Sequence, residues 1–230
     1  MSERAKPTRA VLLDSLGTLV ELEPPVPKLR AALARLGLEV DEERAGRAFA
    51  AEIAYYVEHH VEARDQSTLA ELRNRCAAVL LDELAIPELP LVDAREALLG
   101  SIGFRPFEDA APALAELRER GVRTAVVSNW DCSLREVLDG AGLLPLVDEV
   151  IASAEAGAAK PAAAPFEAAL QALGMEADEA VHVGDSPEND VAGARAAGIR
   201  AVLLDRGGGS PGAGGEGATI ASLAELPSVT

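Results

Sequence analysis

One unit recurs along this chain and restricts what it can fold into: a short, largely apolar run that stops at polar residues. Arg9–Leu13 runs into Asp14-Ser15-Leu16-Gly17-Thr18-Leu19. Val122–Val127 runs into Ser128-Asn129, and Ala180–Val183 runs into Gly184-Asp185. Val147–Ala152 and Ile199–Leu204 are two further strand candidates. Helical patterns separate them at Glu108–Arg120, Ser133–Ala141, Ala162–Leu173 and Pro187–Ala197. Strands alternating with helices imply parallel βαβ units, which predicts an α/β fold with a doubly wound parallel sheet. Such sheets bind ligands outside the carboxyl ends of their strands, so the polar residues should gather on one edge.

The stretch from Val20 to Arg105 breaks the rhythm. A loop of that length is implausible in a compact domain. It reads instead as helices at Val26–Leu36, Glu42–Arg64, Ser67–Leu84 and Leu91–Leu99. Leu69, Leu72, Cys76 and Val79 form an apolar stripe on the third. The expected organisation is therefore a sheet domain made of residues 1–20 and 105–230, with a helical insertion at 21–104. Gly207–Gly217 is a low-complexity stretch, expected as a surface loop before a last short helix near Ile220–Glu225.

Composition excludes several function classes. With 230 residues, 49% of them hydrophobic, the chain has material for a full core. A net charge of −17 argues against a general nucleic-acid binder. It would also repel an anionic substrate unless local cations, N–H groups or a metal reverse the sign at the site. Cys76 and Cys132 form no CxxC unit, so neither a disulfide framework nor a zinc cluster is expected. Met1–Arg9 has no apolar segment of signal-peptide type, and no run is long enough for a membrane span. A cytoplasmic protein without membrane partners is the expectation.

The polar residues at the strand ends each have a plain reading. An aspartate after a strand often caps a helix, Ser128 or Asn129 could shape a turn, and lysines are usually solvated. Their joint order is more specific. Asp14-Ser15-Leu16-Gly17-Thr18-Leu19, Val126-Val127-Ser128-Asn129, Lys160-Pro161 and Gly184-Asp185-Ser186-Pro187-Glu188-Asn189-Asp190 follow one another at suitable spacing. In this the chain resembles the haloacid dehalogenase-like hydrolase superfamily, over about Arg9 to Arg206.

The resemblance implies a Rossmann-like hydrolase core with a helical cap and assigns roles. Asp14 would be the nucleophile, splitting one hard step into two through a covalent intermediate. In the phosphatase branch, Mg²⁺ would lie among Asp14, the Leu16 backbone carbonyl and Asp185, an oxygen donor set of the kind Mg²⁺ prefers. Asp190 would support the metal site or orient Lys160. Thr18, Ser128, Asn129 and Lys160 would hold the phosphate, stabilising charge as it develops. The substrate would be a small phosphorylated molecule.

Leu16 departs from the pattern. Phosphatases of the family carry an aspartate there as general acid and base, and losing such a group typically costs about 10²–10⁴-fold in rate. The substrate could have a good leaving group, another side chain could supply the proton, or the protein could be a catalytically weak binder of phosphorylated ligands. The 2-haloacid dehalogenase branch also lacks an acid at this position, but it usually carries serine where this chain has Asp185. The phosphonate-cleaving branch needs a Schiff-base lysine in the cap, and Lys28 is the insertion's one lysine.

The insertion should select the substrate. On one continuous helix, Tyr56, His60 and Arg64 would share a face, with Tyr55 and His59 on a parallel stripe. That face could line a pocket, with His60 supplying the missing proton. Equally, one stripe could pack in the bundle and the other be solvated. Arg73, Asn74 and Arg75 are similarly ambiguous, and Trp130 could touch substrate or pack in a core.

Overall fold

The structure, a computed structural model, describes residues 7–207 and 218–228. Its strands are β1 (Ala10–Leu13), β2 (Val20–Leu22), β3 (Phe104–Pro106), β4 (Arg123–Ser128), β5 (Glu149–Ala152), β6 (Ala180–Gly184), β7 (Arg200–Leu204) and β8 (Thr219–Ile220). Its α-helices are α1 (Pro25–Arg35), α2 (Glu42–His59), α3 (Gln66–Leu84), α4 (Leu91–Ser101), α5 (Ala110–Glu119), α6 (Leu134–Gly140), α7 (Ser153–Ala156), α8 (Ala164–Leu173) and α9 (Gly193–Ala196).

Six strands form one parallel sheet in the order β5-β4-β1-β6-β7-β8. The chain moves outward from β1 through β4 to β5, then returns to β6 on the other side of β1. That reversal beside β1 is a topological switch point, where a doubly wound sheet opens a crevice at its carboxyl edge. β1, β4 and β6 are central and almost wholly buried, as strands covered on both faces must be. Leu12, Ala125 and Val127 pack on one face against Phe166, Ala169 and Leu173 of α8.

The described residues divide into two units: those up to Glu21 together with those from Pro106, and Leu22–Arg105. The paired strands β2 and β3 lie where the chain passes between them. In the second unit α2 packs on α3, α3 on α4, and α1 on both α4 and α2. Leu69, Leu72 and Cys76 are buried there, as their helical spacing requires. Among the described residues, no helix is long and apolar enough to cross a membrane.

Besides the short strands β2 and β3, three details differ from the sequence-based expectation. The helix expected over Glu42–Arg64 ends at His59, and a 3₁₀ turn follows at His60–Glu62. The cause lies in the next helix: the Arg64 and Asp65 N–H groups donate forward to Thr68 Oγ1, at 3.0 and 3.1 Å, instead of back into α2. Arg64 is therefore exposed and outside the helix, and the face shared with Tyr56 and His60 does not extend to it. The Pro187–Ala197 helix begins as a π turn at Pro187–Ala192, because Val191 N–H reaches back to the Ser186 carbonyl at 3.2 Å. The last expected helix, near Ile220–Glu225, is replaced by β8 and a 3₁₀ turn at Leu223–Ser228, since Asp205 N–H pairs with the Ile220 carbonyl at 2.8 Å. The loop expected at Gly207–Gly217 lies outside the described residues, save Gly207.

Candidate active site

Strand register builds the site. Leu13 pairs with Val126 on one side and Val183 on the other. One residue further along, Asp14 therefore stands level with Val127 and Gly184. Ser128 and Asp185 follow one position beyond. Polar residues from three separate strands thus meet at one edge because their apolar runs end at the same height.

Lys160 joins them from the segment after α7. Its Nζ donates to Asp14 Oδ1 at 2.7 Å, Asp190 Oδ1 at 2.6 Å and the Val127 carbonyl at 2.8 Å. All three ammonium protons are used, as burial demands. The Asn129 side chain fixes this lysine's backbone from both sides. It accepts from Lys160 N–H at 2.7 Å and donates to the Lys160 carbonyl at 3.0 Å. Ser128 Oγ donates to Asp14 Oδ1 at 3.0 Å. Both donors address Oδ1.

Asp190 is held by more than lysine. Ser186 N–H donates to its Oδ2 at 3.0 Å, and His182 Nε2 donates to its Oδ1 at 2.9 Å. His182 sits in the middle of β6, fully buried, with the Phe166 ring edge-on at 5.0 Å. This histidine was not among the residues expected at the site. Its signal in the sequence is an imidazole inside the strand Ala180-Val181-His182-Val183-Gly184, where apolar side chains are the rule.

Two glycines let the acidic groups converge. Gly17 has φ +83°, and a Cβ there would lie 2.2 Å from Asp185 Oδ2. A Cβ on Gly184 would lie 2.2 Å from Asp190 Cγ. Any side chain at either position would push an acid out of the cluster.

Carboxylate oxygens of Asp14, Asp185 and Asp190 lie within 4.8 Å of one another. Burial raises the pKa of Asp14 although Lys160 opposes it. Burial and then repulsion from Asp14 and Asp190 push Asp185 up to about 6. Asp190 stays low despite burial, because His182 and Lys160 favour its charged form. Burial works against the Lys160 charge, but Asp14 and Asp190 outweigh it and raise its pKa. Burial lowers that of His182, keeping the ring neutral. Crowded carboxylates with excess negative charge are a donor set that a hard divalent cation would relieve. Asp190 already accepts three protein donors, so Asp14 and Asp185 have the freer oxygens.

Other candidates fall elsewhere. The Leu16 side chain is exposed. Thr18 is wholly buried, and its hydroxyl has no hydrogen-bond partner among the described residues. In the helical unit, His60 is buried with Nδ1 on the Val57 carbonyl at 2.9 Å, and its ring lies 5.8 Å from that of Tyr56. Arg75 pairs with Glu62, Asn74 accepts from Arg95, and Lys28 pairs with Glu23. Trp130 is buried, with its backbone N–H donating to Ser153 Oγ.

A family model for haloacid dehalogenase-like hydrolases matches residues 8–198. A phosphoserine phosphatase of Thermus thermophilus is 46% identical over 102 residues, 44% of this chain and 41% of that protein. The match thus spans about two fifths of that relative's length. A phosphoglycolate phosphatase of Rhodospirillum rubrum is 32% identical over 86% of this chain and 80% of its own. Among solved structures, a phosphatase from Thermococcus onnurineus superimposes with TM-score 0.68 at 27% identity, covering 96% of this chain and 97% of that one. A 2-haloacid dehalogenase from Pseudomonas syringae gives 0.69 at 26%, with the same coverage.

Proposed function

The chain belongs to the haloacid dehalogenase-like hydrolases, and from that membership we propose that it is a Mg²⁺-dependent phosphatase acting on a small phosphate ester. The observation that carries this reading is the convergence of the Asp14, Asp185 and Asp190 carboxylates within 4.8 Å, with Lys160 bonded to two of them. Asp14 and Asp185, with the Leu16 carbonyl, would hold the cation. Bound Mg²⁺ would neutralise charge between an anionic nucleophile and an anionic phosphate.

The chain's own residues do the rest. Ser128 and Lys160 grip Asp14 Oδ1 and fix the carboxylate for attack. Asp14 attacks phosphorus, the P–O bond to the leaving group breaks, and the electron pair departs on the leaving oxygen. Water then attacks the aspartyl phosphate, releasing inorganic phosphate and restoring Asp14. The Lys160 ammonium stabilises the charge that spreads over the phosphoryl oxygens. Asp190 and His182 keep that ammonium in place, and Asn129 holds its backbone.

Leu16 cannot protonate the leaving oxygen, so good leaving groups are favoured. Replacing it tests this point: Leu16→Asp should raise turnover of an alkyl phosphate by about 10²-fold or more, the low end of what a general acid contributes. No gain means the proton comes from elsewhere.

The deciding assay follows phosphate release from phosphoserine, phosphoglycolate and an aryl phosphate, with Mg²⁺ and without. Release that needs Mg²⁺ and disappears in Asp14→Asn supports the reading. A second reading, 2-haloacid dehalogenase, is favoured by the apolar Leu16 and by the likeness to the Pseudomonas structure. Chloride release from 2-chloropropionate without metal, and no phosphate release, would replace the first reading by the second. Binding of Mg²⁺ and phosphate with no turnover would identify a phospho-ligand binder.

A further inference from the structure

We propose that Arg206 is a positioning residue for the Asp14–Thr18 turn: it claims the outer carbonyls of the turn and leaves that of Leu16 for a divalent cation. The proposal rests on the metal-dependent reading above.

The carbonyls of the turn share its donors unequally. The Ser15 carbonyl accepts the N–H groups of Thr18, Leu19 and Val20 at 3.2, 2.7 and 2.9 Å. The Thr18 carbonyl accepts from Arg206 Nη2 at 2.8 Å, and that of Gly17 takes a longer bond from Arg206 Nε at 3.3 Å. Among the described residues, no donor reaches the Leu16 carbonyl between them. A backbone carbonyl without a donor, two residues after Asp14, is a hard oxygen of the kind Mg²⁺ takes.

Arg206 is itself held rigidly. Its Nη1 and Nη2 pair with the two Asp109 oxygens, each at 2.9 Å, and its guanidinium lies 3.8 Å over the Phe107 ring. Asp109 also accepts from Ser222 Oγ at 2.6 Å and Leu223 N–H at 2.9 Å. The planar fork thus has carboxylate on one side, turn carbonyls on the other and a ring beneath it. Lysine has neither the fork nor the stacking plane. The grip matters because Gly17 has no Cβ to restrain the peptides on either side of it. Gly17 also lies hard against Asp185, so a shift of the turn disturbs the acid as well.

Calorimetric titration of Mg²⁺ into the whole protein, without substrate, tests the clamp. Residues that orient metal ligands typically change affinity by 10–100-fold. Arg206→Met should therefore weaken Mg²⁺ binding at least about tenfold, with Arg206→Lys and Asp109→Asn weakening it less. Circular dichroism melting accompanies each titration. If Arg206→Met does not fold, the other two variants carry the test. Folded variants that melt lower yet bind Mg²⁺ as tightly as wild type make Arg206 a stability element and overturn the proposal. A wild-type protein that takes up no Mg²⁺ overturns the metal-dependent reading and, with it, the clamp.

Discussion

Two clusters in this molecule use the same side-chain chemistry and reach opposite energetic regimes. At the sheet edge, Asp14, Lys160, Asp190 and His182 form a chain of contacts that is almost wholly buried. In the helical unit, His59, Glu62 and Arg75 form a chain of comparable lengths, 2.8 and 2.6 Å, with Tyr55 beside it. There the ionic side chains keep between 24% and 52% of their surface in water. Distance does not separate the two clusters; solvent does. Buried charges lose hydration and must be repaid by fixed partners, so removing one partner strands another. Exposed charges recover their hydration, and the gain from pairing shrinks toward nothing.

The largest effect should come from the buried cluster's reacting group. Asp14→Asn keeps the shape and loses the nucleophile, and turnover should fall by on the order of 10⁴–10⁶-fold, the cost of deleting a residue from a nucleophilic catalytic unit. Steady-state phosphate release reads it, and melting should show a folded protein. Next is Lys160→Met. It leaves Asp14 and Asp190 facing each other without the ammonium between them. Breaking a buried pair costs about 3–5 kcal/mol. Denaturant unfolding without Mg²⁺ is the suitable measurement, and a loss under about 1 kcal/mol would mean that burial is not what gives this cluster its weight.

What the sequence disclosed about these two regions follows from the same physics. Asp14, Ser128 and Asp185 were legible because each ends an apolar run, and parallel register aligns run ends. The doubly wound parallel sheet was legible from the alternation of strands and helices, though not the order of its strands. His182 and Arg206 were not. One hides inside a strand as an anomalous polar residue, and the other lies beyond the end of β7, 189 positions from the Gly17 it holds. No local pattern reports a partner that far away. The short strands β2, β3 and β8 escaped because two or three residues carry no periodicity. The Tyr56–His60–Arg64 face stops short of Arg64 for a different cause. Helical spacing is a valid inference only while the helix lasts, and the capping box of the next helix, at Asp65 and Thr68, ends it early.

Glu52 carries the comparison into the interior of the helical unit. It is buried on α2, and burial raises its pKa although a hydrogen bond from Cys76 opposes the shift. The folded state therefore binds a proton more readily than the unfolded chain. Stability is intact below the ordinary carboxylate range and declines as pH rises through the raised value. Glu52→Gln keeps the acceptor for Cys76 and removes the charge. Its melting temperature should exceed that of wild type at pH 8, with the difference shrinking toward pH 4.5. A difference independent of pH would mean that Glu52 binds its proton equally well in the folded and unfolded protein, so that burial does not set its charge.

The smallest effect should come from Glu62, which makes more contacts than its influence warrants. It accepts from His59 Nδ1 at 2.8 Å and Arg75 Nη2 at 2.6 Å, and both partners favour its charged form. Counted by contacts, it resembles Asp190. Its side chain is 52% exposed, however, and the loss of side-chain freedom on pairing offsets the attraction. Dissolved salt screens what remains over a Debye length of about 8 Å at physiological ionic strength. Glu62→Gln should leave the melting temperature unchanged at that ionic strength and lower it slightly in dilute buffer. A loss that persists in high salt would break the comparison, because screened charges cannot produce one. It would mean that Glu62 supports the helical unit through packing or directional hydrogen bonds, as the buried cluster supports the sheet edge.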